Sequence, residues 1–405
     1  MVTFYSYIVR FILTLRLGLS KPQMKHMLTF IHGIILTDGR KTVSQIRRST
    51  HNPRDLSSMT RFLNESPWCS RRVTDRRHEF IINTMKQARN KQIDKQPTFF
   101  IIDDTQAKKH RSTKRMEGLD MHFSHADRKR VWSHSIVTAH IVSGDYSFAW
   151  DFRSYYREPY CQKHGLTFKS KNDLAIELIE TYKASSDEKV YVLVDSWYMS
   201  KKLIEACKAK GFYLIGGLRT NRKIRAKNRK MKISEFAANH LQQSDLRSVT
   251  VDDRHYKVYK CKEYCGETEK STILLSWKDK CDGGKKPFCL LCTDNSLDLV
   301  TILQYYDVRW NIETGYRYLK DLLGFNDYQL LSRKGIERFW CMQFLTYNFL
   351  EYQRKKWEDG TTLTIGDVVR RIRKDHLGLL VVYAYEQGLT QKPLMEVLKS
   401  LKLTA

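Results

Sequence analysis

The chain has 405 residues and a formal net charge of +27, from 71 Lys and Arg against 44 Asp and Glu. This length allows two or three domains with a sizeable core, and such a charge excess favours a polyanionic partner, above all nucleic acid. No stretch approaches the roughly 20 apolar residues of a membrane span, and the apolar run at 11–19 is broken by Arg16, so we expect neither a membrane protein nor a signal peptide.

Residues 1–95 predict a helical DNA-binding domain. Short basic helices are predicted over 42–49 and 55–64, around a turn at 51–53, with Asp55 or Ser57 as the N-cap of the second helix. Two such helices suit a helix-turn-helix unit, although any small helical domain would give the same pattern. The polar segment 87–96, which ends before Pro97, is the predicted linker.

Residues 96–220 predict the first part of a mixed α/β core. Strands are predicted at 99–102, 131–142, 146–152, 190–194 and 212–218, with helices over 173–182 and 201–210.

Two aspartates stand out in this core, because Asp103 follows the first buried strand and Asp195 follows the strand at 190–194. Ligand sites in open α/β sheets gather at the carboxyl ends of strands, so both side chains are expected there. Asp104 is the alternative to Asp103, since side chains alternate between the two faces of a strand. His134 and His140 are interpreted as core histidines with satisfied hydrogen bonds.

Residues 221–293 predict a β-rich insertion, with strand-like pieces at 247–251, 256–261 and 271–277. Cys289 and Cys292 form a CxxC motif in a short apolar run typical of a buried strand, so we interpret them as core cysteines and reject a zinc site. The nine scattered cysteines favour a reducing interior. We therefore expect a cytoplasmic protein, associated with the nucleoid.

Residues 294–350 predict a second part of the core, built on one long helix over about 297–323. Successive spacings of three, four and seven residues bring four side chains within an arc of roughly 60° on that helix. They are Tyr306, Arg309, Glu313 and Lys320. Arginine can fork onto a phosphate, lysine supplies a point charge, and tyrosine can donate a hydrogen bond to a phosphate. A carboxylate among such groups indicates a phosphate-binding site with a metal ligand.

Asp103, Asp195 and Glu313 are the acids that could work together. Two-metal phosphoryl chemistry needs carboxylates that converge on divalent ions, and magnesium needs only a few of them beside water and phosphate oxygens. Residues 339–352 predict an amphipathic helix, and the tail, 351–405, is also predicted to be helical and is a candidate dimerisation surface.

The spacing Tyr306-x2-Arg309-x3-Glu313-x6-Lys320 matches the Y-R-E-K signature of insertion-sequence DDE transposases with a ribonuclease-H-like core. Residues 101–105 and 192–196 resemble the two aspartate strands of that family, and the resemblance covers about residues 97–350. It implies a ribonuclease-H-like mixed sheet flanked by helices, with a β-rich insertion and helical N- and C-terminal regions.

The resemblance also implies roles for the site residues. Asp103, Asp195 and Glu313 would be catalytic acids that bind two Mg²⁺ ions, with Mn²⁺ able to substitute. Tyr306, Arg309 and Lys320 would contact double-stranded DNA near the scissile phosphate. Aromatic residues of that family can hold a flipped base, but Trp310 is interpreted here as a buried helix residue.

The predicted protein is a transposase that binds inverted-repeat ends, cleaves phosphodiester bonds and transfers 3′-hydroxyl strands into target DNA, as a homodimer that pairs two ends. Two alternatives stay open. One is a catalytically inactive, transposase-derived DNA-binding regulator, and the other is a stand-alone magnesium-dependent nuclease.

Overall fold

The computed structural model describes residues 4–50, 54–91, 96–124, 126–226, 229–266, 268–278, 286–401 and 403. Within these residues, every helix is too short or too polar to cross a membrane.

The N-terminal region is helical, as predicted. Its helices are α1 (Ser6–Thr14), α2 (Lys21–Leu36), α3 (Val43–Ser49), α4 (Leu56–Asn64) and α5 (Ser70–Arg89). The Asp55 carboxylate caps α4 by accepting hydrogen bonds from the backbone N–H groups of Ser57 and Ser58, at 3.0 and 3.2 Å. The predicted turn at 51–53 lies outside the described residues.

The predicted start of the linker, at residue 87, is wrong, because α5 continues to Arg89. Residues 92–95 of that segment lie outside the described part. Helix α5 is held by the sheet, since the side chains of Arg77 and His78 bond to the carbonyl oxygens of Ala149 and Trp150, at 2.8 and 2.9 Å. These buried contacts explain why a polar sequence stays helical here.

A mixed core of strands and helices follows, as predicted. It comprises β1 (Thr98–Lys108), β2 (Asp120–Ser124), β3 (Lys129–Ser143), β4 (Tyr146–Tyr155), α6 (Glu158–Lys163), α7 (Lys171–Glu180), β5 (Val190–Val194), α8 (Lys201–Ala209) and β6 (Tyr213–Leu218). The next segment is β-rich, with β7 (Lys223–Ala226), β8 (Arg229–Lys232), α9 (Ile233–Asn239), β9 (Arg247–Val251), β10 (Arg254–Tyr264), β11 (Lys270–Lys278) and β12 (Phe288–Cys292). The last helices are α10 (Leu299–Asp307), α11 (Trp310–Arg317), α12 (Arg333–Trp357), α13 (Ile365–Leu389) and α14 (Leu394–Ser400).

One large mixed sheet runs through the core, in the strand order β2-β3-β1-β5-β6-β12-β11-β10-β9, with β4 paired to β3. β1, β5 and β6 are parallel, and β3 and β12 are antiparallel to the strands they flank. The predicted mixed α/β class is therefore confirmed. Strands β9–β12 of the insertion extend this same sheet, because β12 pairs with β6.

Both faces of the sheet are covered by helices. Along β1, Phe100 and Ile102 point to the face that α7 and α8 cover, whereas Phe99 and Ile101 point to the face that α10 covers. This strict alternation continues into the polar residues that follow, and it decides which aspartate faces which helix.

Helix α12 was predicted to be amphipathic over 339–352, and this is wrong, because that stretch is almost entirely buried. The helix lies between β4 and the N-terminal helices, so its polar side chains find backbone partners. Gln343 donates to the Leu323 carbonyl and Asn348 to the Ala149 carbonyl, each at 2.9 Å. Polar residues that bond to backbone oxygens produce the same sequence pattern as polar residues that face water.

Because α12 is central, truncating a core side chain on it is expected to destabilise the protein. Leu345 is fully buried, so Leu345→Ala should lower the free energy of unfolding by about 2–5 kcal/mol. Chemical denaturation measures this change. Leu13→Ala, at an exposed leucine on α1, is the matched control and should change stability by no more than about 0.5 kcal/mol. Equal effects of the two substitutions would contradict the central position of α12.

Candidate active site

The parallel pairing of β1 with β5 brings the two predicted aspartates together. Ile102 lies beside Val194 in the register of the sheet, so the next residues, Asp103 and Asp195, are neighbours where β5 ends. One expectation is wrong: Asp103 does not end its strand, because β1 continues to Lys108. The strand continues because β3 pairs with it along its whole length.

Asp103 and Asp104 point to opposite faces of the sheet. The Asp104 carboxylate accepts hydrogen bonds from the Lys171 ammonium at 2.6 Å and the Tyr198 hydroxyl at 3.2 Å, on the α7 face. Asp103 faces α11, where its carboxylate lies 3.6 Å from the Arg309 guanidinium. Of the two aspartates, Asp103 is therefore on the same side as Glu313.

The single long helix predicted over about 297–323 is wrong. The segment that carries Tyr306, Arg309, Glu313 and Lys320 consists of α10, α11 and a π-helical turn. Residues 308 and 309 separate α10 from α11, with the Arg309 N–H bonded to the Tyr306 carbonyl at 3.0 Å, and residues 318–322 form a π-helical turn. The residues at the break keep right-handed helical dihedral angles, so the path of the chain continues. Such irregular turns within helices are frequent at functional sites.

The Arg309 guanidinium joins the sheet to this helix. It donates a hydrogen bond to Glu313 at 2.9 Å while lying 3.6 Å from Asp103, and only 11% of its side chain is exposed. Its Nε is buried without an acceptor among the described residues. Arg309 therefore neutralises two acids, and its Nε–H remains buried without an acceptor in the part of the chain that the structure describes.

Tyr306 and Lys320 lie deeper than a surface DNA contact would. Tyr306 is 8% exposed, and its hydroxyl donates to the Val194 carbonyl, at the end of β5, at 3.3 Å. Burial raises the pKa of Tyr306 to about 12. Burial and the nearby Lys108 lower the pKa of Lys320, whose ammonium lies 5.6 Å from the centre of the Tyr316 ring.

The negative charge at Asp103 is only partly compensated. Burial, helped by the neighbouring Asp104 and Asp195 carboxylates, raises the pKa of Asp103 to about 7, although the Asp104 N–H and the Arg309 cation oppose the rise. A nearby cation that replaces the proton would stabilise the ionised form of a carboxyl group in this setting.

Asp195 is held by the turn that follows it. Its carboxylate accepts hydrogen bonds from the N–H groups of Trp197 and Tyr198, at 2.9 and 3.2 Å. The turn packs closely on β6, where a Cβ at Gly217 would lie 3.0 Å from the Ser196 nitrogen. Glycine is needed at this position because the backbone of the turn takes the space of a side chain.

The oxygen donors suit a hard divalent cation chemically, since magnesium prefers carboxylates. In the arrangement described, however, no three His, Cys, Asp or Glu side chains of the described residues converge as metal ligands. Asp103 and Asp195 are adjacent, but Glu313 is turned toward Arg309. The Arg309 cation thus lies between Asp103 and Glu313.

A large cleft of about 1070 Å³ opens beside these acids, between the insertion and α10. Its walls combine aromatic rings with cations, including Tyr256, Trp277, Phe288, Arg254, Lys278 and Lys286. Trp310 also lines it and is 55% exposed, so the expected burial of Trp310 is wrong. The break before α11 turns this ring outward, where the Arg309 guanidinium lies 5.2 Å from its centre.

The predicted core residues are where the sequence suggested. His134 bonds to the Tyr328 hydroxyl at 2.6 Å and to the Glu117 carbonyl at 2.7 Å, and His140 bonds to the Ser147 hydroxyl at 2.8 Å. Burial lowers the pKa of His134 to about 4 and that of His140 to about 3. These histidines are satisfied core residues, as predicted.

The predicted cysteine strand is also present. Cys289 and Cys292 are buried on β12, and burial raises the pKa of each thiol to about 12.

Sequence reasoning missed the contacts that hold the site from behind. Lys171 pairs with Asp104 across 67 positions of the chain, and the Tyr316 hydroxyl bonds to Thr138 across 178 positions at 2.6 Å, which fixes α11 over β3. No spacing rule links residues so far apart. The only available signal was that Tyr316 follows Glu313 at helical spacing.

Two family models match the chain. The model described as "DDE superfamily endonuclease" matches residues 14–241, which is more than half of the chain and includes Asp103 and Asp195. The model described as "Archaeal putative transposase ISC1217" matches residues 160–356, which include Asp195 and Glu313. No curated protein matches the chain significantly.

The raised pKa of Asp103 predicts a pH-dependent stability. The stabilisation from its protonated form is complete below the ordinary pKa of 3.8 and is lost as the pH rises to about 7. In the presence of a chelator, wild type should therefore lose stability relative to Asp103→Asn across this range. Denaturation at several pH values measures the free energy of unfolding of wild type minus that of Asp103→Asn. If this difference stays constant or increases as the pH rises, Asp103 is not buried as described.

Proposed function

The chain belongs to the DDE superfamily of endonucleases, and we propose that it is a DNA transposase. In this proposal it binds the inverted-repeat ends of a mobile element, cleaves phosphodiester bonds and transfers the 3′-hydroxyl strands into target DNA. The observation that carries the proposal is the Arg309 guanidinium between Asp103 and Glu313, with Asp195 beside them.

The three acids would hold two Mg²⁺ ions, with Mn²⁺ able to substitute. Bound divalent ions would polarise the scissile phosphate and lower the pKa of the attacking water. The charge balance supports this assignment, because Asp103 is a buried acid beside two other carboxylates. Tyr198 and Lys171 hold Asp104 away from the group, so Asp103 supplies the first carboxylate.

Arg309 would exchange carboxylates for phosphate. Once Asp103 and Glu313 are neutralised by other cations, its guanidinium would be free to bind a phosphate through two parallel hydrogen bonds to two of its oxygens. The unpaired Nε–H supports this role, since a buried donor without an acceptor is costly and a phosphate would satisfy it. Lys320 would add a positive charge near the same phosphate, and Tyr306 would keep the end of β5 in place through Val194.

Trp310 is proposed to contact a DNA base. Its ring is exposed in the cleft and lies against the cationic Arg309, so a base could stack on it while Arg309 binds the neighbouring phosphate. Stacking on an exposed aromatic ring contributes roughly 1–3 kcal/mol per base. This role replaces the core role that the sequence suggested.

A stand-alone magnesium-dependent nuclease is the second candidate, favoured by the match to a family of endonucleases. Such an enzyme would nick DNA but would not join a 3′-hydroxyl strand to a second duplex. A strand-joining assay with labelled cleaved ends separates the two functions.

The acid variants test the mechanism. Asp103→Asn, Asp195→Asn and Glu313→Gln should each reduce cleavage of DNA from the flanks of the gene at least about a hundredfold, because metal-ion stabilisation of the transition state supplies several kcal/mol. A gel assay with magnesium measures the rates.

Asp104→Asn is the matched comparison for Asp103→Asn. The neutral amide at position 104 can still accept a hydrogen bond from the Tyr198 hydroxyl, and the Lys171 ammonium is free to pair elsewhere. The Asp104→Asn variant should therefore retain more activity than Asp103→Asn. The proposed mechanism fails if the three acid variants cleave as fast as wild type, and the choice of Asp103 fails if Asp104→Asn is the more damaged of the two.

We further propose that the C-terminal helices pair two copies of the chain. Helix α13 packs on the core only through residues up to His376. Beyond it, apolar side chains are exposed at helical spacing on α13 and again on α14, including Leu377, Val381, Tyr385, Leu389 and Leu394. An exposed apolar face of this kind marks an interface, and joining two DNA ends requires two active sites.

The paired state can be measured by light scattering after size-exclusion chromatography. Wild type should elute as a dimer, and Val381→Lys with Leu389→Lys should convert it to a monomer that keeps its secondary structure. Leu13→Lys, at an exposed leucine on α1, should leave the dimer intact. A wild-type monomer at all concentrations would remove this surface as the means of pairing, without affecting the chemistry.

A further inference from the structure

We propose that a second cleft, on the other side of the Asp195 turn from α10, binds the sugar-phosphate backbone of DNA. The cleft has a volume of about 430 Å³ and is lined by Ser196, Trp197, Arg219, Asn221 and Arg222. This inference rests on the proposed function, because it assigns a further DNA subsite to the same active site.

Two turns form the walls of this cleft. One is the turn after β5, which begins at Asp195 and carries Ser196 and Trp197. The other is the turn after β6, closed by a hydrogen bond from the Arg222 N–H to the Arg219 carbonyl at 3.0 Å. The Arg222 guanidinium joins them by donating to the Met199 carbonyl at 2.7 Å. The cleft is thus tied directly to the turn that orients Asp195.

The second turn is also fixed from behind. The N–H of Ile233 donates to the Arg222 carbonyl and that of Ser234 donates to the Thr220 carbonyl, both at 2.9 Å. The backbone of a turn held at both ends loses little further freedom when a ligand binds, so the backbone of this wall is preorganised.

The donors in the cleft are available to a ligand. Arg219 and Asn221 are exposed, and among the described residues neither side chain has an ion-pair or hydrogen-bond partner. Trp197 is 39% exposed, with the Lys171 ammonium 5.4 Å from the centre of its ring. Unpaired guanidinium and amide donors beside an aromatic ring suit a phosphate and its attached sugar.

The position of the cleft determines its ligand. Ser196 lines both this cleft and the large one that contains Arg309 and Trp310, so the Asp195 turn separates them. A DNA strand whose scissile phosphate lies at Asp195 would extend past the turn on both sides. The large cleft would take one side, and the Arg219 cleft the other.

Arg219→Ala tests this assignment, with Arg229→Ala as the matched control. Arg229 is an exposed arginine on β8 that lies outside both clefts, so the two variants lose the same charge. DNA binding is measured by fluorescence anisotropy in the presence of a chelator, at several salt concentrations. One probe is a duplex with the sequence that flanks the gene, and the other is a duplex of arbitrary sequence.

Arg219→Ala should weaken binding about tenfold and reduce the slope of log affinity against log salt by about one, as expected for one lost phosphate contact. A loss confined to the flanking-sequence probe assigns the cleft to the element end, and a loss with both probes assigns it to DNA backbone in general, including target DNA. Equal behaviour of Arg219→Ala and Arg229→Ala with both probes would overturn the proposal. Because no cleavage is measured, this outcome is independent of the acid-variant test.

Discussion

The accumulation of negative charge beside the end of β5 is the constraint on which the site depends. Parallel pairing places Asp103 next to Asp195, and Asp104 adds a third carboxylate immediately behind them. Like charges this close in a buried position are tolerated only with compensating cations. The chain supplies Arg309 on one face and Lys171 on the other, so each face of the sheet has a cation that compensates the aspartate on that face.

This arrangement connects stability with chemistry. In the structure the Arg309 guanidinium bridges Glu313 on the helix and Asp103 on the sheet, so the helix is docked by the same groups that we propose to be catalytic. The hydrogen bond between Tyr316 and Thr138 holds the helix independently. Because this second anchor does not involve the acids, the proposed movement of Arg309 from the acids to a phosphate would leave α11 in place.

The continuous sheet determines where the two clefts lie. Strand β12 adds the insertion to β6, so the insertion forms one wall of the large cleft instead of a separate lobe. On the other side, the turn after β6 forms the wall of the Arg219 cleft. Both walls are built on strands next to β5, and the Asp195 turn lies between them. The Lys and Arg side chains on both sides account for part of the net charge of +27.

The sequence by itself determined the local features, because they depend on residues close together in the chain. Strand β5, the spacing of Tyr306, Arg309, Glu313 and Lys320, and the two core histidines all follow from short-range periodicity. Only the tertiary structure decided which groups meet. Register placed Asp103 beside Asp195 within a longer strand, the break before α11 turned Trp310 into the cleft, and packing on all sides buried α12. These outcomes come from contacts between distant segments, which no local pattern contains.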